Sequence, residues 1–151
     1  RYYGSKMKSP FEYVVSSIRA TGSEMERPAT LARQLQQMGE PLYLCQPPTG
    51  YSDASNAWMN SGTLIARLNF ALDLASGKIA GVKAGTSFAA GSLDPNLNTT
   101  IERLSRELVG GDLAAETRRT IDQSLKEHAT AGHDEAVVAG LILGSPEGQR
   151  Q

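Results

Sequence analysis

The sequence has little of what marks several common classes of protein. Its one cysteine, Cys45, cannot form an intrachain disulfide. Its 15 Lys and Arg residues are matched by 16 Asp and Glu residues and are spread along the chain, which argues against a nucleic-acid-binding surface or a polybasic membrane patch. No apolar run approaches the roughly 20 residues of a membrane-spanning helix. A length of 151 residues with 40% hydrophobic and 21% charged residues is typical of one globular domain.

Signals that begin and end helices are abundant. Ser9-Pro10-Phe11-Glu12 combines an N-cap hydroxyl, a proline at the first helical position and a glutamate that can complete a capping box, and Gly22 ends this first helix. Apolar residues at helical spacing, each run ended by glycine, predict five more helices: from Ser23–Glu26 to Gly39, from near Asn56 to Gly77, from Asp94-Pro95 to Gly110, from Asp112 to Gly132, and from Asp134 to Gly144. No segment alternates with the period of a strand, so we predict no strands.

The fold class that these patterns predict is all-α, a helical bundle of about six helices in a single domain over residues 1–151. Residues 77–92 are rich in Gly, Ala and Ser, and we interpret them as a flexible connection. This connection divides the helices into two clusters of three, which could pack as one core or as two.

The third helix is the longest and has two distinct stripes. Its predicted buried stripe is apolar: Leu64, Leu68, Ala71, Leu72 and Ala75, widened by Ile65 and Phe70. Beside it, Asn60, Thr63 and Arg67 fall at i, i+3 and i+7 and form a polar stripe.

Candidates for catalysis or metal binding are weak. His128 and His133 are five residues apart with Gly132 between them, so they form neither an i, i+4 pair on one helix face nor an H-E-x-x-H motif, and we interpret them as exposed side chains at helix ends. The carboxylates alternate with Arg or Lys at helical spacing, as solvated surface pairs do. We therefore predict no catalytic residue, no metal site and no cofactor. Cys45 is interpreted as a small buried apolar side chain.

The best candidates for function lie in the loop before the third helix and in its first turns. Tyr51 and Trp58 are large amphipathic rings, and Asn60, Thr63 and Arg67 are directional hydrogen-bonding groups, a composition typical of interface hot spots. These five residues form the predicted surface for a partner or ligand. The alternative is structural: Trp58 staples the loop to the bundle, and Arg67 pairs with a nearby carboxylate or carbonyl.

Three blocks of sequence resemble a bacterial family called domain of unknown function 1800. They are Lys8-Ser9-Pro10-Phe11-Glu12-Tyr13-Val14-Val15; Gln46 to Tyr51 with Ala57-Trp58-Met59-Asn60 and Arg67 to Ala71; and Ala139 to Glu147. They span nearly the whole chain in the order of the family pattern. One departure is Gly148, where the family pattern more usually has an aromatic residue.

The resemblance implies context more than chemistry, because the family has no established activity. Its members are several times longer, which implies that this chain is a C-terminal portion whose first partner is the N-terminal remainder of the parent chain. It also implies export to the periplasm or the cell exterior, with a sulfatase-like exported protein as a further partner.

The function that we expect is that of a scaffolding or protein-interaction module. The alternative is part of a hydrolase whose active site is shared with the N-terminal remainder, with Trp58, Asn60 and Arg67 lining the substrate. The hydrolase predicts a deep pocket near Asn60 and Arg67 with convergent polar groups and shifted pKa values. The interaction module predicts an exposed apolar patch there instead.

Overall fold

The computed structural model describes residues 6–52, 54–85, 96–127 and 135–150, and this part of the chain is mainly helical. Its six α-helices are α1 (Pro10–Ala20), α2 (Pro28–Gln37), α3 (Ser61–Ala75), α4 (Leu97–Val109), α5 (Ala115–Glu127) and α6 (Glu135–Gly144). The prediction of an all-α fold with about six helices is confirmed. Within the described ranges, no helix has the length and apolar character needed to cross a membrane.

The first helix begins where its sequence predicts. The Glu12 N–H donates to Ser9 Oγ at 3.3 Å and the Ser9 N–H donates to Glu12 Oε2 at 2.8 Å, which completes the capping box. The Phe11 N–H donates to Glu40 Oε2 at 2.8 Å. Because Glu40 follows the end of α2, this bond ties the start of α1 to the loop after α2.

The third helix begins later than predicted. Ser55–Trp58 form a single 3-10 turn, and α3 starts at Ser61 with Asn60 as its N-cap. Asn60 Oδ1 accepts a hydrogen bond from the Thr63 N–H at 2.9 Å. The asparagine side chain satisfies a free N–H of the first turn, and so fixes the first helical residue five positions after Asn56.

Helix α3 lies between two cores. On one side, Phe70 and Leu74 pack with α1, α2 and the segment after α3 in a cluster of buried residues: Tyr13, Val14, Ile18, Leu31, Leu35, Met38, Ile79 and Val82. On the other side, Ala71 and Ala75 pack with α4, α5 and α6, through Ile101, Leu104, Leu108, Ile121, Leu125, Ala136, Val138, Ala139, Ile142 and Leu143. One helix therefore contributes to both groups of three.

Helix α6 packs closely on α3 because two of its positions have no side chain. A Cβ atom at Gly140 would lie 2.9 Å from Leu72 Cα, and one at Gly144 would lie 2.6 Å from Leu68 Cδ1. Helix backbones can approach this closely only where the facing residue is very small. The Gly140 and Gly144 positions thus set the distance between the two helices.

Two very short strands depart from the prediction. β1 (Glu24–Met25) pairs antiparallel with β2 (Val82–Lys83), with Glu24 opposite Lys83. The prediction that Ser23–Glu26 opens the second helix is therefore wrong, and α2 begins at Pro28. A two-residue strand is too short to show alternation in a sequence. The remainder of the predicted connection, residues 86–92, and the predicted cap Asp94-Pro95 lie outside the described residues; α4 is capped by Asn96.

The two ends of the described chain lie side by side. The Lys8 N–H donates to Gln149 O at 2.8 Å, Lys8 Nζ donates to Gly148 O at 2.9 Å, and Met7 forms an antiparallel bridge with Arg150. A Cβ atom at Gly148 would lie 2.2 Å from the carbonyl oxygen of Leu143. The glycine that departs from the family pattern therefore allows the last turn to sit tightly on the end of α6.

Candidate interaction surface

The predicted polar stripe of α3 lies in the interior. Arg67 is fully buried, and its Nη2 donates to Lys8 O at 2.8 Å. Its Cζ lies 5.2 Å from the centroid of the Tyr13 ring, a cation–π distance. The Tyr13 hydroxyl in turn bonds with the carbonyl oxygens of Arg67 and Leu143, each at 3.2 Å. Arg67 thus joins the segment before α1 to the middle of α3.

Burial around Arg67 changes the protonation equilibria of three neighbouring groups. Desolvation lowers the pKa of the Arg67 guanidinium, while the nearby Tyr13 and Glu40 favour its charged form. Desolvation raises the pKa of the Tyr13 hydroxyl, against the influence of Arg67. Desolvation also lowers the pKa of Lys8. These three shifts have one main cause, the burial of the polar groups around Arg67.

The other four predicted site residues support the loop before α3. Asn60 caps the helix, and Thr63 Oγ1 donates to Trp58 O at 2.8 Å. Trp58 is buried, and the Tyr51 ring packs on it at a centroid distance of 6.1 Å. The Tyr51 hydroxyl donates to the carbonyl of Pro41. The structure therefore brings Tyr51, Trp58, Asn60 and Thr63 together, mainly as a framework that holds the loop.

The predicted buried stripe of α3 is wrong in its first turns. Leu64 and Ile65 are exposed, at 36% and 60%, while Thr63, Arg67, Phe70 and Leu74 are buried. The amino-terminal half of α3 therefore buries its polar residues Thr63 and Arg67. It turns the large apolar side chains of Leu64 and Ile65 outward. Apolar residues occur around the whole circumference of this helix, so their spacing could not select the buried face.

Exposed apolar side chains are concentrated at the end of the bundle where α1 and α3 begin and α2 ends. Of the eight large apolar side chains that are exposed among the described residues, seven lie there: Phe11, Leu42, Tyr43, Leu44, Met59, Leu64 and Ile65. We call these seven residues the apolar end. Tyr43 is 99% exposed and has a φ of 62°, a backbone conformation that residues other than glycine rarely adopt. Surfaces of this kind are typical of interaction sites.

A groove borders the apolar end. Its volume is about 460 Å³, and its walls are formed mainly by Met7, Met59, Leu64, Ile65, Leu68 and Pro146. Arg150 is the charged side chain that lines it. A second groove of about 460 Å³ shares Leu68, Gly144 and Pro146 with the first and continues between α5 and α6. The two grooves therefore adjoin across one wall.

The chemistry of these grooves is that of packing. No group of three or more His, Cys, Asp or Glu residues could hold a metal ion in the part of the chain that the structure describes. Cys45 is partly exposed, in contrast to the buried side chain predicted. His128 and His133 lie outside the described residues. The first groove, with mainly apolar walls, can bind apolar side chains, whereas the second groove combines apolar residues with Glu116 and hydroxyl side chains.

The sequence contained one signal for the exposed residues that the prediction did not use. Asn60 caps α3 and Thr63 bonds back into the loop, so both must face the loop at the helix start. Asn60 itself is exposed at the helix start, whereas Thr63 is buried, and Ile65, two positions after Thr63, lies about 200° around the helix from it, on the outer side.

Comparison with known proteins gives one match. The model of the family described as "Protein of unknown function (DUF1800)" matches residues 1–150. No curated protein and no solved structure matches the chain.

Proposed function

The chain belongs to the DUF1800 family of proteins of unknown function, and we propose that it serves there as a scaffolding or protein-interaction module. The observation that supports this function is the apolar end, which holds seven of the eight exposed large apolar side chains of the described residues. Burying a large apolar side chain such as leucine stabilises a protein by about 1.5–3 kcal/mol relative to leaving that side chain exposed to water. A cluster of such side chains is stabilised when a partner covers it.

The framework beneath the apolar end is held by hydrogen bonds and buried side chains, which favours binding without rearrangement. Tyr51 and Trp58 hold the loop, Asn60 and Thr63 fix the helix start, and Arg67 joins that helix to the segment before α1. A surface that is already in its bound conformation loses less conformational entropy when a partner docks. The five predicted site residues then act mainly by holding the apolar end in place.

Two binding partners are proposed from the family resemblance. They are the N-terminal remainder of the parent chain and a sulfatase-like exported protein. Export of the parent protein is proposed on the same ground. Both proposed partners are polypeptides. An apolar surface of this kind can bind a polypeptide that has an apolar face of its own.

The hydrolase alternative is less well supported. It requires convergent polar groups around Asn60 and Arg67, whereas Arg67 is fully buried against Lys8 and Tyr13. The groove nearest to these residues has mainly apolar walls. The arrangement therefore favours binding over catalysis.

The test is co-purification of the full-length parent protein from its native host, with two variants. Ile65→Glu puts a charge in the apolar end, and Met25→Glu puts one on an exposed apolar residue outside it, 49% exposed. We expect a stoichiometric protein partner that is lost with Ile65→Glu and retained with Met25→Glu. Recovery of no partner, together with turnover of a generic ester or glycoside substrate, would replace this function with the hydrolase.

A further inference from the structure

The two adjoining grooves are lined by charged side chains of opposite sign, one on each side of the wall that they share. The first groove is lined by Arg150 and the second by Glu116, and the two share the wall formed by Leu68, Gly144 and Pro146. Both charged residues are exposed. Neither forms an ion pair with another residue of the described ranges. The combined groove therefore offers one cation, one carboxylate and an apolar shared wall. The second groove also has hydroxyl side chains in its lining: Thr117, Thr120, Ser124 and Ser145.

Backbone pairing is an unfavourable way to fill the combined groove. Met7 and Arg150 line it, but the Met7 N–H already donates to Ser55 Oγ at 3.3 Å and the Lys8 N–H to Gln149 O. An added strand needs free backbone groups at a sheet edge, whereas a bound helix needs apolar walls. The walls here are side chains of α3, α5, α6 and the last turn. The groove thus fits a helix better than a strand.

We propose that the combined groove binds an amphipathic helix of a partner protein, with an acidic residue of that helix facing Arg150 and a basic residue at its other end facing Glu116. This proposal rests on the proposed function and names the chemistry of the partner. Exposed charges at the rim favour a partner that associates and dissociates, because permanent interfaces are more apolar throughout. The charges align the helix, and the apolar stretch supplies the burial.

The probes are three synthetic amphipathic peptides of about 18 residues, or roughly five helical turns. All carry the same leucine stripe; the mixed peptide has glutamates in its first turn and lysines in its last turn, and the two controls have lysines or glutamates at both ends. Binding to the 151-residue chain is measured by fluorescence anisotropy. We expect the mixed peptide to bind about threefold or more tightly than either control, since each exposed ion pair changes affinity by about 1.5- to 5-fold.

Charge reversals in the chain should change this preference in opposite directions. Arg150→Glu should favour the lysine-ended peptide, and Glu116→Lys should favour the glutamate-ended peptide. Arg119→Glu, a reversal at an exposed position of α5 that does not line the groove, should leave the order unchanged. Ile65→Glu should lower the affinity for all three peptides by about tenfold or more, because it places a carboxylate in the apolar wall.

Several results would overturn the proposal. Affinities that do not depend on the end charges would remove the role of Arg150 and Glu116. No saturable binding would remove the groove as a helix site. Self-association of the chain that Ile65→Glu abolishes would assign the groove to a second copy. Binding of the mixed peptide by the 151-residue chain but not by the full-length parent would assign it to a segment of the parent. Whichever of these results is obtained, the proposed function stands if the co-purification still recovers a native partner that Ile65→Glu removes.

Discussion

Arg67 gives the sharpest test of the packing described here, because its burial was not expected. Its guanidinium is fully buried and makes one hydrogen bond, from Nη2 to Lys8 O, while Nε and Nη1 have no hydrogen-bond partner in the described part of the chain. Removing the bond to the Lys8 carbonyl costs about 1.5–3 kcal/mol, the range for hydrogen bonds with a charged group. Removing the two buried nitrogens without partners, Nε and Nη1, recovers about 1–3 kcal/mol for each nitrogen.

Two substitutions at Arg67 should therefore have very different effects. Arg67→Met keeps most of the side-chain volume and removes the buried charge, so its free energy of unfolding should stay within about 2 kcal/mol of the wild type. Arg67→Ala also leaves a cavity between α1 and α3, and should cost about 2–5 kcal/mol more than the methionine variant. In a domain of this size, 1 kcal/mol changes Tm by about 2–4 °C.

Urea and thermal unfolding, followed by circular dichroism, measure both variants. Arg106→Met on the exposed surface of α4 is the matched control and should change stability by less than about 0.5 kcal/mol. If Arg67→Met is as unstable as Arg67→Ala, the charge itself stabilises the core, and the account of its unpaired N–H groups is wrong.

Three further predictions follow from other contacts. Trp58→Ala should cost about 3–5 kcal/mol because the ring is buried, whereas Tyr43→Ala at a 99% exposed position should not change Tm; an unchanged Tm for Trp58→Ala would refute its role in holding the loop. Gly140→Ala should lower stability more than Gly144→Ala, because its Cβ would meet the backbone of α3 and the other a movable methyl group; the reverse order in urea unfolding would contradict the close helix approach. Burial alone would raise the pKa of Glu147, but its hydrogen bonds, first among them that from Ala114 N–H, hold it below 4.5. Its contribution is present above pH 4.5 and lost as pH falls through the lower folded-state pKa, so the stability gap between wild type and Glu147→Gln should close in acid, and a constant gap would contradict this.

Local signals in the sequence were sufficient for the number of helices and for the start of α1, but not for the starts of α2 and α3. The capping box at Ser9 and Glu12 sets the start of α1. In α4, Leu97 is partly buried and three residues at helical spacing are buried: Ile101, Leu104 and Leu108. These features depend on residues within a few turns of each other, so they can be inferred from the sequence alone.

Features that depend on distant residues could not be inferred in this way. Arg67 is stabilised in the interior by Lys8 and Tyr13, which are more than fifty residues away in the chain. The orientation of α3 follows from those contacts and from Gly140 and Gly144 on α6. The candidate residues of the loop do contact one another, while Leu64 and Ile65, which the prediction assigned to the core, point outward.

The central claim is that the apolar end contacts another polypeptide in the assembled protein. Placing a photo-crosslinking amino acid at position 65 of the protein, with position 25 as the exposed control, tests it directly in the native host. We predict a covalent adduct to a polypeptide from position 65, mapped by mass spectrometry to one recurrent peptide, and little or none from position 25. Equal and scattered adducts from both positions, or none from position 65, would contradict the claim.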